Sequence, residues 1–198
     1  MATRQPATDV RTALLDAARD LITEIGYSQM SHADITAAVG IGRTTFYEHF
    51  SSKEDVLVEL VRRDLPPMTD ELIASVDEDQ PARERLASLA RAMVHFVGTE
   101  HIGLMLHTDV PHLSEESQRS ISEAHKGLTS EFAGVYRQGV MSGVFRQMPP
   151  RFAGRMMEQI IMTGGKAVME SADPGHEVDR IADDTAELLV AAFSTGNG

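Results

Sequence analysis

Apolar residues recur at three- and four-residue spacing along nearly the whole chain, and no stretch of strict alternation is bounded by turn residues. Such spacing lines side chains up on one face of a helix, whereas a half-buried strand needs a period of two. The chain is therefore expected to be all-α. Leu14, Ala17, Ala18, Leu21, Ile22 and Ile25 mark a first helix, which Gly26 stops as a C-terminal glycine does. Ser31 with Asp34 forms a capping pair for a short helix ending near Val39. Gly40-Ile41-Gly42 breaks it, and Arg43 to Phe50 forms another short helix. Ser51 with Glu54 reads as a capping box for a fourth, Lys53 to about Leu65. Pro66-Pro67 reads as a bend, because proline lacks the N–H and restricts the residue before it.

Later segments are longer. A helix opened near Pro81 carries Leu86, Leu89, Met93, Phe96 and Val97 on one stripe. Ile102, Leu104, Met105 and Leu106 suit a short apolar helix ended by Pro111. One long helix is expected from Ser114, with Glu115 and Glu116 at its positive end and a stripe of Ile121, Leu128, Phe132, Val135 and Val140. Arg151 to Glu170 and His176 to Phe193, separated by Asp173-Pro174-Gly175, complete a set of about nine helices.

Charge narrows the partners. The 198 residues include 18 Lys and Arg against 30 Asp and Glu, a net −12 at pH 7. Such a chain repels nucleic acid on average, since non-specific binding comes from phosphate neutralisation. The imbalance is uneven, with 7 basic and 10 acidic residues up to Leu65 against 11 and 20 beyond it. A local basic face near the N-terminus is compatible with that split. There is no cysteine, so disulfides and thiolate metal sites are excluded. Met1 to Val10 lacks the apolar stretch of a secretory signal. No run approaches the ~18 apolar residues of a membrane span. A soluble, cytoplasmic protein without a membrane partner is the expectation.

The N-terminal quarter reads as a helix–turn–helix. Ile35, Val39 and Ile41 are apolar where its two helices must pack, and Gly40 sits where the turn demands positive φ. In the block Arg43-Thr44-Thr45-Phe46-Tyr47-Glu48-His49-Phe50, Phe46 and Phe50 face the first helix. Arg43, Thr44 and Thr45 then face outward at the amino end, where such helices address base edges. A major groove offers acceptors and thymine methyls, which Arg and Thr suit. Tyr47 and His49 carry donors for phosphates, and Lys53 opens a helix whose N–H groups attract a phosphate oxygen. The alternative on spacing alone is a helical hairpin in a core, with no ligand.

The run from Leu14 to Leu57 resembles the DNA-binding domain of the TetR/AcrR family of transcriptional regulators. The resembling residues are Ala17-Ala18, Gly26-Tyr27, Ser31, Asp34-Ile35, Gly40-Ile41, Thr45-Phe46-Tyr47, His49-Phe50 and Ser52-Lys53-Glu54. Departures fall at Thr36, Val39, Gly42 and Thr44; Gly42 stands in place of a usual Ser, which weakens the recognition-helix cap by a few tenths of a kcal/mol. Glu48 faces outward and repels phosphate unless it accepts from a cytosine amine. Candidate DNA contacts are Ser31, His32, Arg43, Thr44, Thr45, Tyr47, His49 and Lys53. Arg4 and Arg11 are read as solvated ends.

The resemblance implies a DNA-binding domain over residues 1–52 and an effector-binding and dimerisation domain over 53–198. It implies dimerisation through the last two long helices, with Ala153, Ile161, Gly164, Val168, Ile181, Thr185, Leu188, Leu189 and Ala192 as candidate interface residues. Completion of a monomer core is the alternative for those stripes. Met93, Phe96, His101, Met105, Phe132, Tyr136, Met157 and Ile160 are candidate contacts for a largely apolar effector, since thioethers adapt to ligand shape. The expected function is a ligand-responsive regulator, a repressor, that binds a palindromic double-stranded DNA operator as a homodimer. The helix from Lys53 would connect the domains as a lever.

Rival readings are weaker. Gly40-Ile41-Gly42-Arg43-Thr44-Thr45 lacks the last glycine and the preceding strand of a dinucleotide loop, and Gly164-Gly165-Lys166 lacks the Ser or Thr of a phosphate loop. His95, His101, His107 and His112, with Asp109 and Glu115, raise metal sensing without operator binding, but their spacing of five and six is not that of zinc ligands. A helical small-molecule carrier is a further alternative. No motif pairs a nucleophile with a base, so no enzyme, no cofactor and no metal are expected.

Overall fold

A computed structural model describes residues 7–100 and 108–196. Among them are nine α-helices, a 3-10 turn at Val110–His112 and no strand. The helices are α1 (Ala7–Ile25), α2 (His32–Val39), α3 (Arg43–His49), α4 (Lys53–Ala74), α5 (Ala82–Thr99), α6 (Glu115–Ala124), α7 (Lys126–Met141), α8 (Pro150–Glu170) and α9 (Pro174–Phe193). The chain divides into two compact units, residues 7–66 with 108–124 and residues 67–100 with 125–196.

In the first unit, α1 packs on α2 and buries its stripe of Leu14, Leu15, Ala18 and Ile22, and Ile35, Phe46 and Phe50 are buried there too. Val56, Leu57, Leu60 and Val61 of α4 are buried as well, so the part of that helix from Lys53 to Pro66 belongs to this unit. Val39 and Ile41 are half-buried rather than core; they line a shallow groove with Val10, Ala17 and Leu21. In the second unit α5 packs on both α8 and α9, with Leu86, Leu89, Ala90 and Val94 buried among Met157, Ile161, Ala182, Ala186 and Leu189.

Three local expectations are overturned. First, α4 continues through Pro66-Pro67 to Ala74. Leu65, Thr69 and Leu72 are buried at helical spacing, and proline's φ suits a helix even though its N–H is lost. Second, the single long helix from Ser114 is two helices, interrupted at His125 with φ −84° and ψ −4°. Ile121 is buried in the first unit and Leu128 and Val135 in the second, so the chain changes unit at that point. Third, Ser51 and Glu54 form no capping box. Ser52 Oγ accepts the Asp55 N–H at 3.1 Å, and the Asp55 carboxylate accepts the Ser51 N–H at 2.9 Å. The short helix expected around Ile102 to Leu106 lies outside the described residues, and Pro111 sits inside the 3-10 turn.

Candidate nucleic-acid interface

The helix–turn–helix is built by local chemistry. Ser31 caps α2 by accepting the Asp34 N–H at 3.3 Å, and its own N–H and hydroxyl donate to the Asp34 carboxylate at 2.8 and 2.7 Å. Those bonds from Ser31 hold the Asp34 carboxyl below the usual carboxylate range. Gly40 closes α2 in the left-handed region at φ 74°, its N–H donating to the Thr36 carbonyl at 2.9 Å. Ile41 donates to the same carbonyl at 3.1 Å, which turns the chain towards α3. Gly42 opens α3 with no side-chain cap.

One face of α3 is locked and the other is free. Phe46 is fully buried, with ring centroids 5.3 Å from Tyr47, 6.1 Å from Phe50 and 6.0 Å from His32. Arg43, Thr44, Tyr47 and Glu48 are exposed, while Thr45 and His49 are half-buried. Arg43 donates to the Tyr47 hydroxyl at 3.3 Å and its guanidinium lies 5.4 Å from that ring. The His32 ring lies 5.9 Å from Tyr47, so the start of α2 adjoins this exposed face. The structure thus brings His32, Arg43 and Tyr47 together and leaves Ser31 occupied as the cap.

Two cations have other duties than the sequence suggests. The Lys53 ammonium donates to the carbonyls of Tyr27, Ser28 and Met30 at 2.9, 3.3 and 2.9 Å, and sits 4.4 Å over the Tyr27 ring. An ammonium has three hydrogens, and these three carbonyls of the loop between α1 and α2 take all of them. Burial, with Glu54 and Asp109 nearby, pushes the Tyr27 phenol up to about 12. Arg11 is not a solvated end. It donates to the His49 carbonyl and to Glu59 Oε2, both at 3.0 Å, with its guanidinium 4.5 Å over Phe50. It therefore satisfies a carbonyl in the last turn of α3. Arg4 lies outside the described residues.

In the second unit, Met93, Phe96, Phe132 and Ile160 are half-buried against one core. Met157 and Tyr136 are buried in it. The Tyr136 hydroxyl donates to the Arg146 carbonyl at 3.0 Å and accepts the Met148 N–H at 2.9 Å, so it tethers the loop after α7. His101 and Met105 lie outside the described residues.

The candidate interface residues of α8 and α9 are mostly covered within their own unit. Ala153, Ile161, Gly164, Val168, Thr185 and Leu189 are buried within their own unit, Gly164 lying directly under the Thr185 side chain. The most apolar stripe of α8 and α9 meets the rest of the core first, because α5 lies against both helices. Ile181 and Ala192 are half-buried against that core. Leu188 stays 60% exposed, and Phe152 at 52% and Met156 at 38% are exposed on α8. Phe152 and Met156 were not among the candidate interface residues; their spacing of four places both on one face of α8.

Among the described residues no group of three or more His, Asp or Glu side chains is placed to hold a metal ion. His95 lies 3.1 Å from Asp179, and His101 and His107 are outside those residues. No described helix is long and apolar enough to cross a membrane.

Comparison with known proteins agrees with this geometry. The family profile for bacterial regulatory proteins, tetR family, matches residues 14–60, and that for the tetracyclin repressor-like C-terminal domain matches 79–163. The chain is 25% identical over 183 residues to the fatty acid metabolism regulator protein of Bacillus subtilis, covering 91% of this chain and 93% of that one. It is 30% identical over 138 residues to the HTH-type transcriptional repressor KstR2 of Rhodococcus jostii, covering 69% and 68%. The crystal structure of FadR from Bacillus subtilis in complex with stearoyl-CoA shares the fold, with TM-score 0.74 at 23% identity over 92% of this chain and 98% of that one. With an ordered helix–turn–helix, an all-helical second unit and these likenesses, the chain belongs to the TetR family and is a ligand-responsive DNA-binding transcriptional regulator.

Proposed function

We propose that this regulator is a cytoplasmic repressor which binds a palindromic operator as a homodimer and is released by a largely apolar small molecule. The observation that carries the reading is the free face of α3, where Arg43, Thr44 and Tyr47 stand exposed beside His32. Arg43 suits the guanine acceptors of a major groove and Thr44 a thymine methyl. Tyr47, His49 and His32 suit flanking phosphates, with Thr45 at the edge of the contact. Ser31 and Lys53 contribute by holding α2 and the α1–α2 loop in place.

Selection of bound duplexes from a random pool tests this. Two recognition helices on successive grooves require half-sites about 34–36 Å apart. A recovered pool without paired half-sites at that spacing ends the proposal. With the recovered duplex, Arg43→Ala is expected to cost about 1–3 kcal/mol of binding and to relax preference at one base pair. Lys53→Met instead should lower the melting temperature, with the salt dependence of binding unchanged, since its ammonium is committed to carbonyls.

Phe152, Met156 and Leu188 support the homodimer, as large apolar side chains left exposed on α8 and α9. Leu188→Glu is expected to give monomers in sedimentation at micromolar concentration and to weaken operator binding by about tenfold or more. A variant that sediments like the parent protein would count against this face. The effector is proposed to reach Met93, Phe96, Phe132 and Ile160, whose half-burial leaves apolar surface for an acyl chain. FadR of Bacillus subtilis has been crystallised with stearoyl-CoA, which is therefore the first probe to titrate against the protein–duplex complex. Release requires tighter binding of that probe to the DNA-free form, and its extent is set by the difference alone.

A further inference from the structure

Residues 108–124 belong to the first compact unit although more than 40 residues separate them from its other part, 7–66. Both ends of the segment are covalently continuous with the second unit, through residues 67–107 and from His125 onward. One carboxylate of α4 ties it by hydrogen bonds to residues 7–66. Glu54 Oε1 accepts the Ser114 N–H at 3.0 Å and the Ser114 hydroxyl at 2.5 Å. Ser114 Oγ accepts the Ser117 N–H at 3.3 Å, so the residue that caps α6 is also the residue Glu54 holds. The hydroxyls of Ser114 and Ser117 keep the Glu54 carboxyl below the usual carboxylate range, consistent with a charged acceptor in these bonds.

Glu54 stands between two other fixed residues. Lys53 binds the loop after α1, and Asp55 accepts the N–H of Ser51, directly after the Phe50 that packs on Phe46. Three consecutive side chains thus grip three places: the α1–α2 loop, the start of α6 and the end of the recognition helix. A displacement of α6 can reach α3 through this run without any change at the DNA-facing residues.

We propose that Glu54 is the positioning residue that couples α6 to the recognition helix, its bonds to Ser114 being the link through which operator binding and the state of residues 108–124 influence each other. The proposal rests on the DNA-binding reading above. Coupling between two sites is reciprocal, so DNA bound at α3 must alter the stability of α6 if the link exists. Amide hydrogen exchange over Glu115–Ala124 reads this, with and without the duplex recovered from the pool, for the parent protein and for Glu54→Ala, Glu54→Gln and Ser114→Ala. In the parent protein the duplex should slow exchange in α6 by about fivefold or more. Glu54→Ala and Ser114→Ala should bring that factor near one while still binding DNA, and Glu54→Gln, which keeps an acceptor oxygen, should retain part of it. If Glu54→Ala fails to fold, Ser114→Ala and Glu54→Gln carry the same comparison. A parent protein that binds the duplex with no slowing in α6 overturns the proposal and leaves the DNA-binding reading intact. So does parental slowing in both Glu54→Ala and Ser114→Ala, or in Ser114→Ala alone where Glu54→Ala does not fold. A parent protein that binds no duplex from the pool removes the reading and the proposal together.

Discussion

Replacing Phe46 with alanine is expected to abolish operator binding near 37 °C, although the ring is fully buried and presents no atom to a groove. The ring is the contact shared by Tyr47, Phe50 and His32, at 5.3, 6.1 and 6.0 Å. α3 has seven residues, far too few to be helical in water without packing. It has no side-chain cap either, because Gly42 stands at that position. Removing the ring leaves a cavity under the recognition helix and costs about 3–5 kcal/mol. Against a domain stability of about 5–15 kcal/mol, that loss unfolds or nearly unfolds the DNA-binding unit. Circular dichroism should show a melting point lowered by more than about 10 °C. Duplex binding at low temperature should recover in part, since the reading residues are untouched. A Phe46→Ala protein that melts with the parent would refute this account of how α3 is held.

The second large effect belongs to Gly139, near the end of α7. A Cβ built at this position overlaps one edge of the Phe145 ring. That ring cannot step aside cheaply. It is buried and stacked on Tyr136 at 6.4 Å. Its backbone N–H donates to the Gly139 carbonyl at 3.0 Å, and the next residue, Arg146, donates to the Phe193 carbonyl at 2.9 Å. Thr195 donates to the Val144 carbonyl at 3.1 Å, so the loop after α7 is pinned to the end of α9 from both sides. Gly139→Ala is therefore expected to destabilise by about 3 kcal/mol, the upper end for overpacking one methyl group. Gly134, on the same helix, has open space around it, and there alanine should stabilise by about 0.5–1 kcal/mol through backbone entropy. Urea titration of the two variants should move the midpoints in opposite directions with similar slopes. A Gly139→Ala midpoint equal to the parental one would show that the loop yields.

The contrast between these positions shows where sequence reasoning reaches and where it stops. Ser31 with Asp34, Gly40 and the recognition helix were legible because their chemistry is completed within four residues of the chain. A cap, a left-handed turn and an i, i+4 aromatic pair each announce themselves locally. Pro66-Pro67 was misread for the same reason in reverse. Its local preference is outweighed by the burial of Leu65, Thr69 and Leu72 along one helical face, which no short window contains. Ser51 with Glu54 matched a local motif, yet Glu54 is drawn 60 residues away to Ser114.

From the sequence alone, the helical class, the exposed face of α3 and the apolar stripes of α8 and α9 could be read, because periodicity and capping are properties of neighbouring residues. The tertiary structure alone decided what each stripe and each cation meets. Lys53 serves carbonyls 23 to 26 residues away and Arg11 serves groups 38 and 48 residues away. Ala153, Ile161, Val168 and Leu189 complete the core of their own unit, leaving Phe152, Met156 and Leu188 exposed. An apolar stripe states that a face must leave water, since the hydrophobic effect has no direction; which surface covers it depends on where the other helices come to lie.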